Sequence, residues 1–210
     1  MKIFKDRKSA GKLLAKRLKD TKADLVIGIP RGGVVVAVEI AKELKLPMDI
    51  LVTRKIGAPT QPELALGAVD PDGEVAWEKE LINDLRLKIN DLGNEVKEQW
   101  KEVKRREDVY RSTRTHTRSL LAKLDGRTVI LVDDGAATGA TVLAAVRYLK
   151  RHGAKTVVGL PVASKDALWK ISKEVDKIIV LDTPENFHSV GQFFKDFPQI
   201  SDEEVLKLLT

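Results

Sequence analysis

Residues 129–141 read Val-Ile-Leu-Val-Asp-Asp-Gly-Ala-Ala-Thr-Gly-Ala-Thr. Four apolar residues, mostly β-branched, make a strand that a sheet can bury on both faces. Two carboxylates follow, then residues with almost no side chain, then a helical pattern over 141–151. Gly135, Ala136, Ala137, Gly139 and Ala140 let the backbone wrap closely around a phosphate, and the hydroxyls of Thr138 and Thr141 can donate to its oxygens. The helix start adds backbone N–H groups that favour an anion. Ligands of open α/β sheets bind at the carboxyl ends of the strands, where this loop would lie. Asp133 and Asp134 are placed to accept bonds from sugar hydroxyls beside that cradle. An ordinary strand ending in an Asp-Asp-Gly turn would explain the Asp and Gly but not the added Thr-Gly-x-Thr. The stretch has no Gly-Lys-Ser/Thr, so it is not a Walker loop, and it lacks the G-x-G-x-x-G dinucleotide fingerprint.

Working outward, residues 24–29 (DLVIGI), 49–54 (DILVTR), 64–69, 156–162 and 177–181 read as strands. Residues 74–77 would close a hairpin across the turn Asp70-Pro71-Asp72-Gly73. Residues 9–18, 34–44, 141–151 and 166–174 read as helices, the first with Ser9 as its N-cap. Strands alternating with helices predict an α/β fold with a parallel sheet covered on both faces. Residues 78–123 are charged and lack strand signals, and so read as a helical insertion over one edge of the core. Leu92, Val96, Trp100 and Val103 give its long helix an apolar face, with Asn90 as N-cap. Residues 110–118 have loop composition. Residues 183–210 form a C-terminal segment whose Ser201 and Glu204 make a capping box for a final helix. The whole chain, 1–210, reads as one domain.

The 210 residues are 43% hydrophobic, enough for a core and too many for global disorder. Cys is absent, which excludes disulfides and thiolate metal sites. No signal-peptide pattern and no run of about 18 apolar residues occurs, so a cytoplasmic location and no membrane partner are expected. The formal net charge of +6 could draw nucleic acid, but Lys and Glu interleave along the helices as ordinary solvated surface. A nucleic-acid partner is therefore not expected.

The stretch 129–141 resembles the phosphoribosyl-diphosphate motif of the type I phosphoribosyltransferases: four apolar residues, two acidic ones, small residues, then Thr-Gly-x-Thr. Two further elements agree. Residues 27–33 (IGIPRGG) stand where the family has a short pyrophosphate loop, and Arg54-Lys55 stand where orotate and adenine phosphoribosyltransferases carry Arg-Lys. The likeness covers roughly residues 3–74 and 124–208. It is nearest to a group of bacterial and archaeal phosphoribosyltransferase-like proteins that share IGIPRGG, RK-x-GAP and a tail like VGQFFKDFPQISDEEV, and that sometimes occur fused to a hydrolase domain.

The resemblance implies the type I fold with a small C-terminal hood at about 183–210. It implies that Ala137, Thr138, Gly139, Ala140 and Thr141 hold the 5-phosphate, and that Arg31, Gly32 and Lys55 contact the pyrophosphate. Asp133 and Asp134 would bind the ribose hydroxyls near a Mg2+ held mainly by the substrate. Asp133, Asp134, Lys55 and Arg31 form the implied catalytic set. The implied reaction moves the 5-phosphoribosyl group from phosphoribosyl diphosphate to a small-molecule acceptor, a nitrogenous base, in a homodimer. Enzymes for 6-oxopurines place Asp where this chain has Ala137, which disfavours hypoxanthine and guanine and leaves adenine and uracil open. Phe193 and Phe194, with Phe187 and Val190, are candidates to stack on the acceptor or to close the core. The mobile loop corresponds to residues 56–63, or to 110–118 with His116. Two alternatives stay open: a regulator that binds phosphoribosyl diphosphate and nucleic acid without catalysis, and a hydrolase of phosphoribosyl metabolites.

Overall fold

The computed structural model describes residues 3–112 and 120–209. Its centre is a five-stranded parallel sheet in the order β2-β1-β6-β7-β8. These strands are β1 (Leu25–Gly28), β2 (Met48–Ile50), β6 (Thr128–Val132), β7 (Lys155–Val162) and β8 (Lys177–Asp182). Val26 stands opposite Met48 on one side and Ile130 on the other, and Ile130 opposite Val157. Successive side chains leave a strand on opposite faces. Val26, Ile130, Val132 and Val157 therefore pack with Leu14 and Leu18 of α1 (Arg7–Leu18) and Val36 and Ile40 of α2 (Gly32–Leu44). On the other face Ile27, Leu131 and Val158 pack with Val142 and Val146 of α5 (Ala140–Arg151) and Ile171 of α6 (Lys165–Ser172). The expected parallel sheet covered on both faces is present.

A second, antiparallel sheet joins β3 (Arg54–Ala58), β4 (Gln61–Val69) and β5 (Val75–Trp77). It bears on two expectations. The run 49–54 is not one strand: β2 ends at Ile50, and Arg54 opens a strand of the other sheet. Residues 56–63, expected as a mobile loop, lie in the β3–β4 hairpin, whose register shifts on either side of Gly57. A Cβ there would lie 2.4 Å from the Pro62 carbonyl oxygen, so only Gly allows the two strands to approach this closely. Ala65, Ala68 and Ala76 bring the second sheet onto α5.

The segment 78–123 holds α3 (Lys79–Asp84), a 3-10 turn at Ile89–Leu92 and the long α4 (Gly93–Ser112). Asn90 sits inside that 3-10 turn and does not cap α4. The expected apolar face is used in part: Val103 and Tyr110 are buried with Val34, Ile56, Val69 and Val205, Val96 packs against them, Leu92 lies before α4 in a separate cluster, and Trp100 stays exposed. Tyr110 is thus helical core, not loop. The Trp100 Nε1–H donates to the Pro71 carbonyl at 3.1 Å, pinning the insertion to the turn between β4 and β5. Arg151 clamps the same turn through the buried Asp70 carboxylate, which also accepts the N–H groups of Asp72 and Glu74.

After β8 the chain turns through a 3-10 helix at Val190–Phe193 and ends in α7 (Asp202–Leu209). The Ser201–Glu204 capping box is formed, with both bonds present. At the other terminus the N-cap of α1 is Asp6, not Ser9; Ser9 is the reciprocal partner three residues on. Phe4 pairs with Phe194 as a short bridge, so the N-terminal segment is stitched to the tail.

Candidate active site at the carboxyl edge of the parallel sheet

β6 ends at Val132, and the chain passes through Asp133 and Asp134 into the small-residue loop. Gly139 adopts φ +81°, a left-handed conformation that Gly enters without strain, and this turns the chain into α5. The loop is fixed from β7 and α6. The Ala136 N–H donates to the Val162 carbonyl at 3.0 Å, and the Ala136 carbonyl accepts the Ser164 N–H at 2.9 Å. Ser164 Oγ donates to the Ala137 carbonyl at 2.6 Å. The first N–H groups of a helix have no intrahelical acceptor, and that of Ala140 reaches the Thr138 Oγ1 at 3.4 Å. Ala137 is exposed on a cavity of about 350 Å³ whose wall holds Glu78, Asp166 and Lys170, with Lys170 paired to both carboxylates.

The two carboxylates are held differently. Asp133 Oδ1 accepts the Asp134 N–H at 2.8 Å. Burial, then the charge of Asp134, pushes the Asp133 carboxyl well above its ordinary range. Asp134 is also raised by burial, but Arg7 opposes that shift. The Arg7 Nε–H donates to Asp134 Oδ2 at 2.7 Å, and the two side chains are only 8% and 15% exposed.

A second loop closes onto this pair. The Ile29 N–H donates to the Val132 carbonyl at 2.9 Å, carrying the chain past the end of β6. The Pro30–Arg31 peptide is cis, and Arg31 is the N-cap residue of α2. A Cβ on Gly33 would lie 2.8 Å from the Asp133 Cα, and one on Gly32 would lie 1.9 Å from Asp134 Oδ2. Gly32 and Gly33 are there because the two loops touch, whereas Gly28 lets β1 approach Val34 and Ala37 of α2.

Arg54 joins the Arg31 side of this site. Burial first, then the charges of Arg106 and Arg31, pull its guanidinium below the usual range. Its Nε–H donates to Gln99 Oε1 at 3.0 Å, and Gln99 Nε2 donates to Glu95 at 2.8 Å. The insertion helix therefore orients a residue of β3. Thr53 Oγ1 donates to the Thr141 carbonyl at 3.3 Å, linking the residue before β3 to α5. Lys55 lies in the wall of a cavity of about 480 Å³ between the hairpin and α4, together with Arg54, Pro59, Asn94 and Gln99.

Phe193 and Phe194 do not offer stacking faces. Phe193 is fully buried and Phe194 is 7% exposed, packed among Phe4, Phe187 and Phe197. Val190 instead reaches the loop: a Cβ on Gly135 would stand 2.6 Å from its Cγ1. His116 and the rest of 113–118, expected as an alternative lid, lie outside the described residues. Among the described residues no group of three or more His, Cys, Asp or Glu comes together that could hold a metal ion. None of the described helices is long and apolar enough to cross a membrane.

Sequence reasoning missed Arg7, Gln99 and Ser164. Arg7 had a signal: a cation at the first position of a helix, where the dipole disfavours it, needs an anion from elsewhere. Ser164 stands before the helical pattern of α6 and was recognisable as its N-cap. Gln99 carried no signal, because its partner Arg54 is on another element.

Fold and site together define an α/β protein with glycine-rich loops meeting a carboxylate pair at the carboxyl edge of a parallel sheet. Comparison with known proteins makes this specific. The model of the phosphoribosyl transferase domain family matches residues 4–193, and the chain belongs to that family. It is 41% identical over 212 aligned positions to a Mycobacterium tuberculosis protein described as a putative phosphoribosyl transferase. That alignment takes in 100% of this chain but 47% of the relative, so the chain spans about half the length of the curated relatives it matches. A crystal structure from Thermus thermophilus superposes with a TM-score of 0.79 at 37% identity, covering 99% of this chain and 97% of that one. A shorter stretch, 30% of this chain and 22% of the relative, is 41% identical to a ribose-phosphate pyrophosphokinase of a Marinomonas species.

Proposed function

We propose that the protein transfers the 5-phosphoribosyl group of phosphoribosyl diphosphate to a nitrogenous acceptor and releases pyrophosphate. The observation that carries this reading is the contact of the two loops. Gly32 and Gly33 press against Asp134 and Asp133 at the end of β6, while the same β6 loop runs on into the N-terminus of α5. One ligand bearing a phosphate, a ribose ring and a pyrophosphate meets all three parts. The local likeness to an enzyme named for ribose phosphate and pyrophosphate supports the same donor.

In this reading residues 137–141 hold the 5-phosphate through backbone N–H groups and the Thr138 and Thr141 hydroxyls. Asp133 and Asp134 accept the ribose hydroxyls, which orients C1 for attack. Arg31 and the Gly32 backbone take the pyrophosphate, with Arg54 and Lys55 adding positive charge from β3. Displacement at C1 asks the protein for little covalent work. It must orient the ring, stabilise the departing charge and keep water out. The paired half-buried carboxylates of Asp133 and Asp134 fit a bound Mg2+, which would neutralise charge on the departing pyrophosphate. Ala137 offers no carboxylate to a purine N7, so 6-oxopurines are the poorest acceptors.

Calorimetric titration with Mg2+ and phosphoribosyl diphosphate tests the donor, and pyrophosphate release over a panel of bases and amines tests the transfer. Absence of binding overturns the reading. Binding without release turns it toward a regulator, and release without any acceptor turns it toward hydrolysis.

A further inference from the structure

We propose that Arg7 is a positioning residue for Asp134, fixing the second carboxylate of β6 against the Gly32 turn and tying it to the C-terminal segment. The inference rests on the proposed role of Asp134 in holding ribose.

Arg7 occupies the first position of α1, whose first turn holds no acidic residue. A cation there faces the positive end of the helix dipole, and burying it adds a desolvation cost. Three partners offset both. Nε–H donates to Asp134 Oδ2 at 2.7 Å, Nη1 donates to the Pro198 carbonyl at 2.7 Å, and the guanidinium carbon lies 3.6 Å from the centre of the Phe197 ring. A planar fork serves two acceptors and a ring face at once, which an ammonium group does not. Arg7 bonds to the carboxylate from the α1 side, so it acts on ribose only through Asp134.

The arrangement makes the carboxylate pair unequal. Asp134 is held from α1 by Arg7 and fills the space that a side chain at position 32 would need. Asp133 Oδ1 accepts the Asp134 N–H from within the β6 loop and has no such tie to α1 among the described residues. A binding group held in one rotamer by surrounding bonds has less ordering to do when substrate arrives. Phe197 and Pro198 lie well past β8, so the tail helps to set a residue of the β6 loop.

The test uses Arg7→Met and Arg7→Lys in the full chain. Calorimetry with Mg2+ and phosphoribosyl diphosphate, pyrophosphate-release kinetics, and the amide NMR shifts of Gly32, Gly33 and Asp134 in the ligand-free protein are compared with wild type. Loss of a charge-assisted bond that organises a binding group weakens donor affinity about 10- to 100-fold. It appears as a rise in KM for the donor larger than any fall in kcat, because the ribose contact is made before and during transfer. Arg7→Lys keeps the charge without the fork and recovers part of the affinity. Arg7→Met with a native thermal transition, unmoved Gly32 and Asp134 amides and an unchanged KM overturns the proposal. If Arg7→Met does not fold, the same unchanged readings in Arg7→Lys overturn it. A wild type that binds no phosphoribosyl diphosphate overturns the proposed function instead, and the amide shifts still decide whether Arg7 sets Asp134.

Discussion

Gly32→Ala opposes two effects of known sign. Gly32 is the first residue of α2. Replacing Gly by Ala in a helix ordinarily stabilises by about 0.5–1 kcal/mol, through backbone entropy. Here the new methyl would stand 1.9 Å from Asp134 Oδ2 and 2.9 Å from Arg7 Nε. An ordinary contact is roughly 3.5–4 Å, so the carboxylate must swing by well over an ångström. That swing breaks a buried ion pair and leaves Arg7 without its charge partner, at a cost of about 3–5 kcal/mol. The net loss is about 2–4 kcal/mol, a fall in Tm of roughly 5–15 °C for a domain of this size. Donor affinity falls with it, because the displaced carboxylate no longer meets ribose. Thermal unfolding and calorimetry with Mg2+ and phosphoribosyl diphosphate measure the two consequences. Gly93→Ala is the internal control: it starts α4, and a Cβ there meets nothing within 4 Å, so only the entropy gain survives. In the double variant Gly32→Ala/Asp134→Ala the clash has lost its partner, and the costs fall short of additive. A Gly32→Ala protein at or above the wild-type Tm with unaltered donor affinity would refute the packing argument.

Asp133→Asn raises stability at neutral pH and lowers donor affinity at least about tenfold, through loss of a charge-assisted bond. The wild-type carboxyl is raised in the folded state by burial, then by Asp134, so its charged form costs stability above the folded value and proton uptake removes that cost as pH falls through it. The Tm advantage of the variant should therefore shrink on acidification; an advantage that grows would show the sign to be wrong. Tyr110→Phe removes a hydroxyl that donates to Asp202 Oδ1 at 2.5 Å and costs about 1–3 kcal/mol, read as a lower Tm and faster amide exchange in α7. Unchanged exchange in α7 would mean that the bond does not hold the tail. Glu102 is held down to about 2 by its bonds to Arg105 and then Arg106. Its contribution is present above the ordinary carboxylate range and lost as pH falls through about 2, and at this partly exposed position it is below about 1 kcal/mol. Glu102→Gln should accordingly cost little at pH 7 and nothing near pH 2 in thermal melts.

How much could be read before the structure was seen differs by the kind of signal. The strands of the parallel sheet were legible because both of their faces are buried, so 24–29, 129–132 and 156–162 are nearly continuous apolar runs. The same property hid the break in 49–54. Leu51, Val52 and Thr53 are buried in the crossing between two sheets, and burial does not record which sheet a residue serves. Caps were misplaced at α1 and α4 because Asp6 and Ser9 exchange both bonds of one capping box, and because a 3-10 turn intervenes before Gly93. Within the candidate site, the loops after β1 and β6 were legible because close backbone approach demands Gly at fixed positions, and their meeting at Asp133 and Asp134 makes the demand mutual. Phe193 and Phe194 were ambiguous for the opposite reason, since a ring that stacks on a ligand and a ring that fills a core have the same composition. Arg7 marks the limit most clearly. Read along the chain it is one more cation on an amphipathic helix; read against the helix dipole it is a cation in the wrong place. A residue set against its local preference implies a distant partner that outweighs it, and here that partner is a carboxylate 127 positions away in sequence.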